Sequence, residues 1–260
     1  MISISSRKVI QLLIFVLLIL TLANIAVQSA RFLLDRGGLW EVTRLFDINE
    51  ENNIPTWYSS IQLLLCSALL GLIAAVKYQH RDRYAKQWKG LSIIFLLLSI
   101  DETSSIHELL IPTGKVIDGS GFLYFFWVVP GMLFVLSLAL IYWKFLTHLP
   151  FRTRMLFLIS GAIFVTGAIG MEMVGAKFFV MNSDVSFMDS ASGWKGMTMA
   201  LILAIEEFLE MVGVTVFLYA LLSYAASELK GGKVYISKSR ILVVQKSPES
   251  LMHRESHNET

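Results

Sequence analysis

The chain has 260 residues, 55% of them hydrophobic and 16% charged, with a mean hydropathy of +0.63. These values lie far from soluble averages and point to a multi-pass membrane protein rather than one or two soluble domains. A net charge of +2, from 22 Lys and Arg against 20 Asp and Glu, excludes a bulk field for nucleic acid. The single cysteine, Cys66, excludes an intramolecular disulfide, a Cys-based zinc site and an iron–sulfur cluster.

The first apolar stretch, near Val9 to Ala30, follows Arg7 and Lys8 as a secretory signal would. It is longer than the usual apolar core of about 7 to 15 residues, and Gln28 stands three residues before Arg31 where a small residue would be wanted, so a retained first helix is expected. Arg31 to Thr56 follows as the longest external loop. Its Asp47, Asn49, Glu50, Glu51, Asn52 and Asn53 offer oxygen to a hard cation such as calcium. Their spacing does not match a helix–loop–helix calcium loop, and a solvated loop is the favoured reading.

Further stretches fall near Trp57 to Val76, Gly90 to Leu110, Phe122 to Phe145, Met155 to Ala176 and Met197 to Tyr224. Each is near the roughly 20 residues that cross a hydrocarbon core, and in lipid only helices satisfy their own backbone at that length. Pro130 with Gly131 is expected to kink the fourth span, and Gly161, Gly167, Gly170 and Gly175 to let the fifth approach a neighbour closely. Residues 229–260 form a tail that contains Lys-Gly-Gly-Lys soon after Glu228; disorder or a short strand within Val234 to Val244 is expected there. The eleven methionines are spread along the chain as filler rather than a soft-metal path.

The cations sort by loop. Arg7 and Lys8, Lys77 to Lys89, Lys144 to Arg154 and the tail hold 16 of the 22, whereas Arg31, Arg36, Arg44, Lys115, Lys177 and Lys195 fall on the other side. The positive side is cytoplasmic. The expected fold is therefore an all-α membrane protein, a bundle of six transmembrane helices over residues 1–228 with both termini in the cytoplasm. Trp40, Trp57, Trp88, Trp143 and Trp194 near span ends fit interfacial anchors.

The third span carries Asp101, Glu102, His107 and Glu108; the fifth adds Glu172, and the sixth adds Glu206, Glu207 and Glu210. On a continuous helix Asp101 and Glu108 project within about 20° of each other, with Ser104 and Ser105 on the same stripe. Counting about 1.5 Å per residue from Gly90 puts Asp101 roughly 17 Å in, and His107 and Glu108 roughly 26 Å in. The same count brings Glu172 near the His107 level and Glu206 and Glu207 to mid-membrane. One polar cavity, open to the exterior, can collect them, with Asn24 and Gln62 at its outer edge.

Insertion scales charge about 2.5 to 3.5 kcal/mol for one aspartate at a helix centre. Seven isolated acids would cancel the stability of a typical domain. With only Lys177 nearby, at the outer edge of the fifth span, protons, His107 or a bound cation must neutralise them. Asp101, Glu102, His107, Glu108, Glu172, Glu206, Glu207 and Glu210 are accordingly the candidate ligands of a divalent metal cation, or carriers of protons.

The strings LFDINEENNIPTWYSS (Leu45 to Ser60), SIDETSSIHE (Ser99 to Glu108) and EEFLEMVG (Glu206 to Gly213) together resemble a family of uncharacterised bacterial six-helix inner-membrane proteins, some of them labelled multidrug transporters. The resemblance implies a bacterial inner membrane and no particular activity.

Three functional readings remain. The first is a cation- or proton-coupled membrane protein in which the acids form an exchange site; dimerisation is then expected, since six helices are few for an independent transporter, and no P-loop argues for ATP coupling. The second is a carboxylate-bridged intramembrane metalloenzyme, which is short of histidines because only His107 lies in a span. Ser104 near His107 lacks the glycine elbow of a hydrolase. The third is an accessory subunit whose protonated acids hold helices together through Ser104, Ser105, Thr166 or backbone carbonyls. The first is preferred, because ionisable groups inside a bilayer default to sites and pathways.

Overall fold

A computed structural model describes residues 6–33, 44–47, 53–106, 121–124, 127–182, 194–228, 232–237 and 240–245. Seven helices organise it: α1 (Ser6–Leu33), α2 (Ile54–Gln79), α3 (Ala85–Ser104), α4 (Val128–His148), α5 (Phe151–Val165), α6 (Glu172–Met181) and α7 (Trp194–Glu228). A π turn, Thr166–Met171, joins α5 to α6, so Phe151–Met181 is one interrupted helix of 31 residues. Among the described residues four helices are long and apolar enough to cross a membrane: Arg7–Phe32, Ile54–Gln79, Val128–His148 and Phe151–Met181. They match the first, second, fourth and fifth predicted spans. The third and sixth predicted segments are also helical, as α3 and α7, and these carry most of the acids.

Outward apolar side chains fit the same picture. Leu12, Phe15 and Leu22 on α1, and Leu140 and Ile141 on α4, stand exposed in a pattern that water would penalise and lipid would not. Inside, α7 is the hub, packed by α1, α2, α5, the π turn and α6. Trp88 of α3 fills one end of the bundle at 1% exposure. It stacks on Tyr224 with ring centroids 4.9 Å apart and meets Phe145 edge-on at 5.0 Å. The interfacial role expected of Trp88 is thus replaced by a core role, while Trp57, Trp143 and Trp194 remain exposed. Trp40 lies outside the described residues.

Helices α2 and α3 form a hairpin clasped by serines. Ser67 Oγ donates to Ser92 O at 2.7 Å and Ser92 Oγ returns a bond to Ser67 O at 2.9 Å; Ser60 and Ser99 repeat the exchange, each hydroxyl donating to the other's carbonyl at 2.9 Å. Without water as a competitor, such reciprocal bonds hold helices face to face. A second seam joins α1, α2 and α7: Gln62 donates to Thr215 Oγ1 at 2.7 Å and to Tyr58, whose hydroxyl donates to Leu13 O at 2.5 Å.

The start of α2 explains much of the LFDINEENNIPTWYSS string. Asn53 caps the helix by accepting from Thr56 N at 3.0 Å, and Pro55 occupies the first turn, where a missing N–H costs nothing. Asn53 also donates to the backbone carbonyl of Asp47. The Asp47 carboxylate, 3% exposed, accepts from Gln28 at 2.6 Å and faces Arg31 at 3.4 Å. Expected as part of a solvated loop, Asp47 is instead a buried latch between the end of α1 and the start of α2. Asn49, Glu50, Glu51 and Asn52 lie outside the described residues.

Several boundaries shift. The third span ends as an α-helix at Ser104, because Ser105 takes a left-handed conformation (φ 49°) and its N–H closes on Asp101 O at 2.7 Å. The α-helical register of Asp101 therefore ends there. The fourth helix begins at Val128 rather than Phe122, which places Pro130 in its first turn; there it starts the helix and does not kink it. The tail contains an antiparallel hairpin of β1 (Gly232–Ser237) and β2 (Arg240–Gln245), pairing Val234 with Val243.

Candidate functional site

Helices α3, α4, α5 and α7, with Leu63 of α2 and Ala168 and Ile169 of the π turn, line a cavity of about 390 Å³. Along α7 the lining residues Glu206, Glu210, Gly213, Val214 and Phe217 fall on one helical stripe, with Glu207 beside it. On α3 the stripe runs from Leu91 and Phe95 through Leu98 to Asp101 and Glu102. Helix α4 contributes Phe134, Leu138 and Phe145 below Trp127, and α5 contributes Phe157, Gly161 and Phe164. The stripes on α3 and α7 each span roughly 16 Å of helix axis at about 1.5 Å per residue. The acids gather at one end of the cavity, and aliphatic and aromatic side chains form the rest of the wall.

The π turn sets Glu172 behind that acidic end. A π turn holds more residues per turn than an α-helix, so the helix beyond it is rotated relative to an uninterrupted one, and such turns recur at functional sites. It can sit directly on α7 because residue 167 is glycine: a Cβ there would lie 2.8 Å from Glu206 O and 3.1 Å from Glu210 N. Just under one turn earlier Phe164 meets the second glycine of the crossing, Gly213, where an added Cβ would come within 2.8 Å of the Phe164 backbone N. Of the four glycines expected to permit close approach, Gly167 is in backbone contact with α7, whereas Gly175 meets only side chains of Met199 and Ile202. Gly161 faces open space, and Gly170 meets only Thr166 of its own helix.

Glu172 accepts a hydrogen bond from Trp127 Nε1 at 3.1 Å. Its carboxyl also lies beside that of Glu206. Glu206 is 6% exposed, and its Oε2 is buried without a hydrogen-bond partner. Two ionised carboxylates repel and offer no donor, so this contact requires a proton or another positive charge. Glu210 in turn feels the charges of Glu207, Glu102, Glu172 and Asp101. No lysine or arginine is among the described residues lining the cavity. Lys177 places its ammonium over the Phe122 ring, 4.5 Å from the centroid.

Six of the eight predicted site residues are therefore drawn together: Asp101, Glu102, Glu172, Glu206, Glu207 and Glu210. His107 and Glu108 lie outside the described residues. Among the described residues no three Asp, Glu, His or Cys side chains are grouped to hold a metal ion. Gln62, expected at the cavity edge, is turned instead to Thr215 and Tyr58, and buried Asn24 is not among the lining residues. Thr166, considered as a partner for the acids, donates to Ala162 O of its own helix at 2.7 Å.

Trp127 and Gly213 escaped the sequence reading. An indole N–H on an apolar segment needs an acceptor, and that demand was the available signal for Trp127. Gly213 stood at the end of the EEFLEMVG string, one turn beyond Glu210, and only the identity of its neighbour was missing.

No curated protein and no solved structure matches the chain. A family model matches residues 12–225, which takes in every described helix that bears on the cavity, and the chain belongs to the family described as a domain of unknown function (DUF8692).

Proposed function

We propose that this is a six-span protein of the bacterial inner membrane, with both termini cytoplasmic, whose acidic cluster binds protons or a cation in exchange and serves transport. Three features of the chain support the orientation and span count: the asymmetric placement of cations, the four membrane-length helices, and α3 and α7 as the remaining two spans. In that arrangement the acidic end of the cavity lies in the outer half of the bilayer.

The observation that carries the exchange reading is the convergence of carboxyls from α3, α6 and α7 on one end of a cavity whose described wall supplies no basic side chain. Carboxyls serving only as glue would each be expected on a hydroxyl or a backbone carbonyl. Here Glu206 and Glu172 meet each other.

The test is a titration of the full chain in lipid nanodiscs with Na⁺, Mg²⁺ or Mn²⁺ at fixed pH in weak buffer, counting the protons released. Release that saturates, and that disappears in Glu206→Gln combined with Glu210→Gln while the thermal transition is kept, is the expected result. No release from the wild-type chain with any cation contradicts exchange.

A further inference from the structure

An acidic end explains only part of this cavity. A site for a small inorganic ion needs oxygen on all sides and little room, yet most of this wall is hydrocarbon: Phe95, Phe134, Leu138, Phe157, Phe164 and Phe217 surround the space below the carboxyls. The volume of about 390 Å³ lies within the roughly 300 to 1,000 Å³ typical of small-molecule sites, and the lining matches their pattern of apolar walls with a few placed polar groups. Glu206 supplies the polar demand. It is more than nine-tenths buried, lines the cavity, and keeps Oε2 without a hydrogen-bond partner. Trp127 and Phe164 add aromatic rings to the lining, the residue type that attracts cations.

We infer that the cavity binds an amphipathic organic cation, an ammonium or phosphonium centre held at Glu206, Glu207 and Glu210 with its apolar body lying along Phe134, Phe164 and Phe217. The charge is dictated by the acids, which would repel the phosphate of a phospholipid and gain nothing from a neutral chain. The body is dictated by the walls: an inorganic ion would occupy only the acidic end and leave the hydrocarbon space below it unfilled. The inference rests on the exchange reading above and assigns its cation. Binding would displace a proton from the acidic end, so one positive charge replaces another and that end stays neutralised.

Tetraphenylphosphonium is the probe, added to the full chain in nanodiscs, with empty nanodiscs as the partition control and triphenylphosphine oxide as the uncharged analogue. Equilibrium dialysis should show saturable binding of the phosphonium accompanied by proton release. Glu206→Gln should weaken it at least about tenfold, which is about 1.4 kcal/mol. Gly161→Phe, which puts a ring into a space where a Cβ meets nothing within 4 Å, should weaken it comparably while leaving proton release by inorganic cations in place. Equal binding of the uncharged analogue overturns the recognition of charge. Absence of phosphonium binding, with inorganic cations still releasing protons, overturns the ligand class and spares the exchange reading. Loss of proton release with every cation removes the exchange reading itself.

Discussion

Substituting Gly167 by alanine tests the contact that builds the site. The added methyl would stand 2.8 Å from Glu206 O, 3.0 Å from Glu210 Cγ and 3.1 Å from Glu210 N, where ordinary contact begins near 3.4 Å. The nearest obstacle is backbone, which cannot swing aside as a side chain can, so the π turn must retreat from α7 by about 0.6 Å. Overpacking of this kind costs about 1 to 3 kcal/mol, and the better helix propensity of alanine returns at most about 1 kcal/mol. The retreat also draws Glu172 from Glu206, since only four residues separate Gly167 from the end of the π turn at Met171. Thermal unfolding of the purified chain in detergent, followed by tryptophan fluorescence, should show Gly167→Ala clearly below wild type. Gly161→Ala is the matched control: its methyl meets nothing within 4 Å, so it should be neutral or more stable by about 0.5 to 1 kcal/mol. Equal transitions for the two variants would refute the close packing of the π turn on α7.

Three other changes probe the scaffold by the same unfolding assay. Trp88→Ala empties the aromatic end of the bundle and should cost about 3 to 5 kcal/mol; a loss under about 1 kcal/mol would mean that Trp88 lies at the surface. Ser67→Ala and Ser92→Ala each remove one of two separate bonds to a backbone carbonyl and should cost about 0.6 kcal/mol, with the double variant close to additive because each acceptor carbonyl survives the other substitution. Ser105→Gly relieves a non-glycine residue at φ 49° and should stabilise by about 1 kcal/mol; destabilisation would show that the α3 terminus is not left-handed at Ser105.

Much of the scaffold was legible because bilayer physics is simple. A run of about 20 apolar residues has few alternatives to a helix, and four of the predicted spans return as membrane-length helices with ends moved by a few residues. The acids were legible for the same reason: a carboxyl in such a run has to find company, and Asp101, Glu102, Glu172, Glu206, Glu207 and Glu210 do. Departures from ideal helix were not legible. The left-handed Ser105 ends α3 in a stretch with no glycine or proline to announce it, and the π turn re-aims Glu172 without a periodicity signal of its own. Partner identity was equally hidden. Gln62 and Glu206 look alike as polar groups in apolar runs, yet Gln62 closes a seam with Thr215 while Glu206 is left facing another carboxyl. The apolar cavity is a property of how α4 stands beside α5 and α7, which no single segment encodes.

The central claim is that the carboxyls of buried Glu206 and half-buried Glu172, where α6 meets α7, are held together by a shared positive charge. Infrared spectroscopy of the full chain in lipid at neutral pH reads this directly, through the C=O stretch that only a protonated carboxyl displays. With no added cation, a protonated-carboxyl band that vanishes or shifts in both Glu172→Gln and Glu206→Gln, and that diminishes when a bound cation replaces the proton, is the result expected. A spectrum without that band, or one that neither substitution alters, would contradict the account.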